Sequence, residues 1–159
     1  MEDGLPSDTV LRLTREGGGH VYDLLAQHEL PATVEEDGRL AIPLSLGPCE
    51  GRLLMVTGNP VERLDLAAPE TAKPGDSVEI TVTVADASGK PVDAVVPVEL
   101  RIVDPEGAPA EPSGHYGAAG GVLRVKLDLA PNDHPGLWEI RVIEGATGRE
   151  NRAYLRVKP

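Results

Sequence analysis

Aromatic residues are scarce in this chain. Its 159 residues contain no phenylalanine, one tryptophan and three tyrosines. A core without large rings has to be built from valine, leucine, isoleucine and alanine, which suits a β-sandwich of short strands. The length allows one sandwich or two small domains, because domain sizes peak at roughly 100–150 residues. The 18 glycines and 15 prolines supply the frequent turns that such a topology needs.

Cysteine and long apolar runs are equally scarce. Cys49 is the single cysteine, so no intrachain disulfide can form. It lies in the turn-like stretch LGPCEG with no histidine or lysine beside it, and we expect an unreactive turn residue. No stretch approaches the roughly 20 apolar residues of a membrane helix, and the acidic residues 1–4 are unlike an export signal. These features predict no membrane insertion, in a chain that is cytosolic or a piece of a larger exported protein.

Basic residues are outnumbered. The 15 lysines and arginines stand against 26 aspartates and glutamates, which gives a net charge of −11. Nucleic acid is therefore not an expected partner, because binding to phosphates needs clustered lysine and arginine. The acidity indicates a soluble surface, with an acidic surface that binds divalent cations as the alternative.

Patterns that indicate catalysis or metal binding are also missing. The four histidines show no metal-ligand spacing and are His20, His28, His115 and His134. No serine lies in a GxSxG setting, and no pair of carboxylates suited to glycoside hydrolysis stands out. We therefore predict no catalytic residue, no metal site, no cofactor and no enzymatic activity.

What the chain does have is an alternation of apolar and polar side chains with a period of two. It is clearest in residues 73–104, where the apolar positions are Val78, Ile80, Val82, Val84, Val96, Val98, Leu100 and Ile102. This period predicts two half-buried strands, which we interpret as a hairpin-like unit. Further strands are expected at residues 61–67, 121–129, 137–143 and 152–158, with Trp138 pointing inward. A seventh is expected around residues 92–95 or 115–118.

The first sixty residues carry shorter strand patterns, at residues 9–14, 20–25, 39–46 and 51–56. A glycine turn is predicted at residues 17–19, and Asp37-Gly38 is a strong hairpin signal. Pro43 has no N–H to donate, so its strand should be an edge there, or bulged. Residues 58–60 (GNP) are the candidate linker. They would divide the chain into a partial β-sheet or β-sandwich unit at residues 1–58 and a sandwich domain at residues 61–159.

Three short motifs follow one another within residues 9–57: VYDLL, an acidic turn with DGRL, and CEGRLL. In this order they resemble the C-terminal β-sandwich that follows the catalytic barrel in glycoside-hydrolase-like proteins. The resemblance implies that strands precede this point, so we expect an excised fragment with an incomplete first sheet. Open edges of such a sheet predict self-association through residues 1–58. The alternative is that these strands join the sheets of the second half.

Three motifs of the second half are KPGD at residues 73–76, DASGKPV at residues 86–92 and PGLWEI at residues 135–140. Together they resemble the immunoglobulin-like domains of the macroglobulin type, over residues 61–159. The predicted fold class is all-β: an immunoglobulin-like antiparallel β-sandwich with a smaller, incomplete N-terminal β-sheet unit. The resemblance implies a fold and no particular activity, because such domains serve as spacers, adhesive modules and ligand binders.

Two tyrosines remain as candidate ligand-binding residues. Tyr154 is expected to face outward from its strand, and Tyr116 lies in the glycine-rich segment GHYGAAGG, which predicts a loop. We predict a non-catalytic structural or interaction region, a spacer or an adhesive element, of a larger extracytoplasmic or cell-surface bacterial protein. Its partners would be the other domains of that protein. The alternative is a carbohydrate-binding accessory module, with a polysaccharide as its partner.

Overall fold

The computed structural model describes residues 5–15 and 18–159. The acidic residues 1–4 and Gly17 of the predicted glycine turn lie outside the described residues. Across the described ranges the chain forms fourteen strands and no helix. The predicted fold class, an all-β chain of the immunoglobulin-like antiparallel sandwich kind, is confirmed.

The strands fall into two groups along the chain. The first group is β1 (Ser7–Thr14), β2 (His20–Asp23), β3 (His28–Leu30), β4 (Thr33–Val34), β5 (Arg39–Leu46) and β6 (Leu54–Thr57). The second group is β7 (Arg63–Ala67), β8 (Thr71–Ala72), β9 (Ser77–Ala85), β10 (Val96–Val103), β11 (Gly114–Ala118), β12 (Val122–Asp128), β13 (Gly136–Glu144) and β14 (Glu150–Val157).

Each group forms two sheets. In the N-terminal sheet pair the orders are β1-β5-β4 and β3-β2-β6, and in the C-terminal sheet pair they are β12-β9-β7 and β11-β10-β13-β14-β8. All neighbours are antiparallel except the short parallel pair of β8 and β14. Among the described strands, none of the first group is hydrogen-bonded in a sheet with one of the second.

Aliphatic side chains fill two cores, as the scarcity of aromatic residues predicts. The main core lies between the two C-terminal sheets and includes Ile80, Leu100, Ile140 and Trp138. Trp138 is buried, which confirms its inward direction. The small core lies between the two N-terminal sheets around Val21, Leu40 and Ile42, with half-buried Leu11 and Leu13 of β1 against it.

The interpretation of residues 73–104 as a hairpin-like unit is wrong, although both strands exist and bury the predicted residues. The strand β9 belongs to the three-stranded C-terminal sheet and β10 to the five-stranded one. After β9 the chain folds back on itself. Pro91 forms an antiparallel β-bridge with Ala85, and the N–H of Val92 donates to the carbonyl of Val84 at 3.0 Å. The chain then crosses from one sheet to the other, with Val92 buried between.

Three local predictions are confirmed. The strand β5 pairs with β1 over its whole length but with β4 only at Leu40 and Ala41, so it is a sheet edge at Pro43. Gly38 ends the turn between β4 and β5 with a φ of +81°, a conformation that favours glycine. The extra strand expected near residues 92–95 or 115–118 is β11, at the second of the two places.

Candidate functional site

The junction between the two sheet pairs is built around β2. Successive side chains of a strand point to opposite faces, and here both faces are covered. Val21 packs into the small core, whereas Tyr22 and its cross-strand partner Met55 pack into the main core. The sheet β3-β2-β6 is therefore a middle layer that contributes to both cores.

Tyr22 also makes the central polar contact of the junction. Its ring is fully buried, and its hydroxyl accepts a hydrogen bond of 2.7 Å from the backbone N–H of Val61. Burial raises the pKa of the Tyr22 phenol, so the hydroxyl stays protonated at neutral pH. Because Val61 opens the second half of the chain, this bond ties the N-terminal sheets to the connection between the halves.

Asp93 holds the same connection from the other side. Its carboxylate accepts the N–H of Gly58 at 2.5 Å and pairs with the Arg15 guanidinium at 3.2 Å. Arg15 also donates to the carbonyl of Val56 at 3.2 Å. The Gly58 amide and the Arg15 charge hold the pKa of the Asp93 carboxyl below its usual value. The segment leading out of β6 is thus bonded to the crossover between β9 and β10.

Asn59 adds a third attachment. Its side-chain amide donates to the Asp86 carboxylate at 3.1 Å and to the carbonyl of Lys90 at 3.2 Å. Hydrogen bonds from the Ser88 hydroxyl and the Asn59 amide lower the pKa of Asp86. The predicted linker is therefore fixed by specific hydrogen bonds to the loop that follows β9.

Fully buried carboxylates are candidate catalytic groups, and their hydrogen-bond partners indicate what role they have. Asp23 accepts backbone N–H groups of Leu25 and Ala26 and pairs with Arg52 at 2.7 Å. Burial alone would raise the pKa of Asp23, but the Arg52 bond and the two amides outweigh it and lower that pKa. Asp23 thus stays ionised and shapes the turn after β2.

Glu144 has the same kind of role in the turn between β13 and β14. It is fully buried and accepts the N–H groups of Ala146, Thr147 and Arg149 at 2.7–3.1 Å, together with the Thr147 hydroxyl. Both fully buried carboxylates of the described ranges are therefore bound by backbone amides of the turn that follows them.

The turns after β9 and β10 repeat one motif that sequence reasoning missed. In each, an aspartate accepts the N–H groups two and four residues later: Asp86 from Ser88 and Lys90, and Asp104 from Glu106 and Ala108. A glycine three residues after each aspartate takes a φ of +86° or +87°. The repeated D-x-x-G spacing could have revealed this turn. It would also have shown that some of the acidic residues stabilise turns.

Tyr116 lies in strand β11, so the prediction of a loop there is wrong. Its register partner is Val98 on the core side of β10, and its half-buried ring packs against the main core. Its hydroxyl donates to the carbonyl of Pro112 at 2.7 Å. The neighbouring glycines suggested a loop, but Gly114 and Gly117 both pair within the strand.

Tyr154 faces outward, as predicted, and is 50% exposed. It lies opposite Glu139 and diagonal to the exposed Leu137 on the outer face of the five-stranded sheet. Tyr116 is on the inner face of that sheet, with β10 and β13 between the two strands. The two rings therefore do not form one platform, and ligand binding by either tyrosine stays a prediction.

An acidic cleft of about 630 Å³ lies at one end of the C-terminal sheet pair. Its lining includes Asp104, Asp133 and Trp138. Asp104 binds its own turn, and Asp133 accepts the N–H of Ala130 at 2.7 Å. No cluster of three or more metal-ligating side chains occurs in the part of the chain that the structure describes. The same part contains no helix long and apolar enough to cross a membrane.

No protein-family model and no curated protein matches this chain. Among solved structures, the adhesin InvE of Yersinia pseudotuberculosis is 16% identical, with a TM-score of 0.47 over 96% of this chain and 49% of the adhesin. A PKD domain of an M14-like peptidase from a Thermoplasmatales archaeon is 13% identical, with a TM-score of 0.40 over 60% of this chain and 93% of that domain. The superoxide reductase (neelaredoxin) of Ignicoccus hospitalis is 16% identical, with a TM-score of 0.40 over 62% and 82%.

Likenesses of this size carry no argument about function. The kinship with macroglobulin-type domains and with glycoside-hydrolase-like proteins stays a prediction.

Proposed function

We propose that this chain is a non-catalytic spacer, which holds two β-sheet pairs in a fixed relative orientation within a larger extracytoplasmic bacterial protein. The observation that carries the proposal is the buried Tyr22, whose ring packs in the main core while its hydroxyl binds the N–H of Val61. The partners are the other domains of that larger protein.

The short connection between the sheet pairs supports a rigid spacer. Between β6 and β7 lie residues 58–62, and Gly58, Asn59 and Val61 each take part in a hydrogen bond to another part of the chain. A flexible linker leaves such groups to water, as in exposed interdomain segments of polar composition. Here the bonds restrict rotation of one sheet pair against the other.

The use of the buried polar groups supports a role without catalysis. Within the described ranges the buried polar side chains are Asp23, Thr57 and Glu144. The two carboxylates bind turn amides, and the Thr57 hydroxyl donates to the carbonyl of Asn59 at 2.7 Å. Catalytic sites instead leave a perturbed group directed at a cleft.

Measurement of ¹⁵N relaxation by NMR tests the rigid arrangement directly. If the proposal holds, amides of β5 and β13 fit one anisotropic rotational diffusion tensor. In Tyr22→Ala the two sheet pairs should each require a separate tensor, because the substitution removes the ring from the main core. Tyr154→Ala is the matched control, since it removes an exposed ring from the same protein. Independent tumbling of the two sheet pairs in the unmodified chain would overturn the proposal.

A thermal-shift screen tests the absence of a small-molecule site. We expect no change in the melting temperature with simple sugars or Ca²⁺. A ligand that binds only the folded chain raises its stability in proportion to the logarithm of its concentration. A robust, saturable increase would show that the chain binds that ligand, contrary to a role as a spacer alone.

The second candidate function is a carbohydrate-binding accessory module, which Tyr154 favours. An exposed tyrosine diagonal to an exposed leucine on the outer face of a sheet is a surface on which a sugar ring can stack. Retention on insoluble polysaccharide should then fall with Tyr154→Ala and be unchanged by Tyr116→Phe, which alters only a half-buried hydroxyl. Equal retention of all three proteins would rule out a stacking role for Tyr154.

A further inference from the structure

Strand β1 presents an open edge. In the order β1-β5-β4 it is bonded to β5 alone, and over residues 5–15 and 18–159 no strand lies on its other side. The pairing with β5 is regular over eight residues, without a bulge. Proteins usually protect such an edge with lysine, proline or a bulge. The sequence of β1, SDTVLRLT, has no lysine and no proline, and its two charges, Asp8 and Arg12, are of opposite sign.

The position of Pro43 shows which backbone groups of β1 point away from β5. It lies opposite Val10, and since proline has no N–H, this pair is one in which neither residue bonds the other. The carbonyl of Arg39, which has the same parity along β5, accepts the N–H of Glu35 on the β4 side. By alternation, the N–H and C=O groups of Asp8, Val10 and Arg12 point away from β5 to the open edge.

We propose that two copies of this chain associate through β1, antiparallel, about a twofold axis that passes between their two Val10 residues. In this register Val10 meets Val10 of the second copy, and Asp8 meets Arg12 in both directions. Each of these pairs consists of residues whose N–H and C=O groups point outward, so each pair exchanges both hydrogen bonds. The two sheets β1-β5-β4 then become one continuous sheet.

Side chains on the outer face of β1 select this register. Asp8 makes no ion pair in the described structure, and Arg12 engages Glu35 only through Nε. The terminal nitrogens of Arg12 can therefore reach the second copy's Asp8. Opposite charges placed directly across two strands stabilise the pair. Shifting the register by two residues places Arg12 or Asp8 opposite Val10, depending on the direction, and either shift loses both ion pairs.

The centre of the interface is apolar. Val10 is 43% exposed and lies opposite Pro43 on the outer face, where the two line a shallow groove with Asp8 and Ser45. Association would place two valines between two prolines across the joined sheet. This buries apolar surface that water contacts in the single chain, which adds to the hydrogen bonds of the edge.

Sedimentation equilibrium of the whole chain, at loading concentrations up to roughly millimolar, tests the association. We expect a reversible monomer–dimer equilibrium. Val10→Pro removes the central donor while breaking no bond to β5, and it should weaken the dimer about tenfold or more. Val10→Thr keeps the N–H and the strand preference and should weaken it far less. Circular dichroism and thermal unfolding of both variants confirm that the fold is intact.

A charge exchange tests the register. Asp8→Lys alone and Arg12→Glu alone each place like charges across the interface, and each homodimer should weaken about tenfold. An equimolar mixture of the two variants brings the new lysine opposite the new glutamate and the native Arg12 opposite the native Asp8. This mixture should form a heterodimer close to the unmodified affinity.

Each result decides the proposal. A chain that stays monomeric at every concentration overturns it. A dimer that is unaffected by Val10→Pro uses another surface, and a mixture without heterodimer excludes the register. None of these outcomes depends on the spacer function, because Asp8, Val10 and Arg12 take no part in the hydrogen bonds of the junction.

Discussion

The hydroxyl of Tyr22 and the backbone N–H of Val61 are joined by a buried hydrogen bond of 2.7 Å, 39 residues apart in the chain. Tyr22 belongs to the middle sheet, and Val61 stands at the start of the C-terminal half. The bond therefore couples two parts of the chain whose strands share no sheet in the described structure.

Removal of the Tyr22 hydroxyl should lower the stability of the fold. Tyr22→Phe keeps the ring in the main core but leaves the Val61 N–H without an acceptor in a buried position. An unsatisfied buried donor costs about 1–3 kcal/mol, so we expect the free energy of unfolding to fall by that amount. Urea denaturation measures it. Tyr154→Phe, which alters an exposed hydroxyl, should change stability by less than about 0.5 kcal/mol.

Arg52 should matter more than arginines of exposed ion pairs. Its partner Asp23 is fully buried, and Arg52→Ala leaves that carboxylate with backbone amides as its remaining partners. We expect a loss of about 2 kcal/mol, because a buried charge loses its counter-ion. Arg63→Ala breaks the exposed pair with Asp65 and should cost less than about 1 kcal/mol. Equal effects in denaturation experiments would contradict this account.

Glu150 should titrate far below an ordinary glutamate. Hydrogen bonds from Arg141 and then Arg152 lower the pKa of its carboxyl to about 2. Since this pKa is lower in the folded chain than in the unfolded one, the stability that Glu150 contributes is fully present above the ordinary value of about 4.3. It is lost as the pH falls from there through about 2.

The Glu150 titration can be followed at its side-chain carboxyl carbon by NMR. We expect a midpoint near 2 in the unmodified chain and a clear rise in Arg141→Gln, which removes the first of the two donors. Stability should also fall in acid because the pKa values of Asp23, Asp86 and Asp93 are lowered. A midpoint near the ordinary value would show that the arginine pairs do not persist in solution.

Two adjacent glycines offer a matched test of close packing. Both take positive φ, but a Cβ on Gly121 would lie 2.6 Å from the carbonyl oxygen of Val84, whereas one on Gly120 would meet nothing within 4 Å. Gly120→Ala should cost about 1–2 kcal/mol from the backbone conformation alone. Gly121→Ala should cost clearly more in thermal or urea unfolding, because backbone atoms have to move.

Alternation of side chains was sufficient to predict the long strands. It found β9, β10, β13 and β14 and the inward direction of Trp138. It could not predict which strands pair, because the period of a strand carries no information about its partner. For that reason residues 73–104 were expected to form a hairpin, while the turn at Asp86 and the buried Val92 send β10 to the other sheet.

The junction was not predictable in the same way. The strand β2 has four residues, too few for a pattern to show that both of its faces are buried. In the sequence Tyr22 looks like any tyrosine of a strand. Its contacts with Met55 and Val61 are known only from the structure. Glycine content misled in the other direction at Tyr116, because glycines that fit within a strand look like a loop in the sequence.

A layer shared by two cores limits how this chain can be recombined. If residues 61–159 were replaced by a foreign sandwich, Tyr22 and Met55 would face water or an ill-fitting surface, and the middle sheet would lose the cover on that face. A chimera would therefore have to exchange β2 and β6 together with the C-terminal half. Residues 58–60, the linker predicted from the sequence, are therefore an unsuitable fusion point.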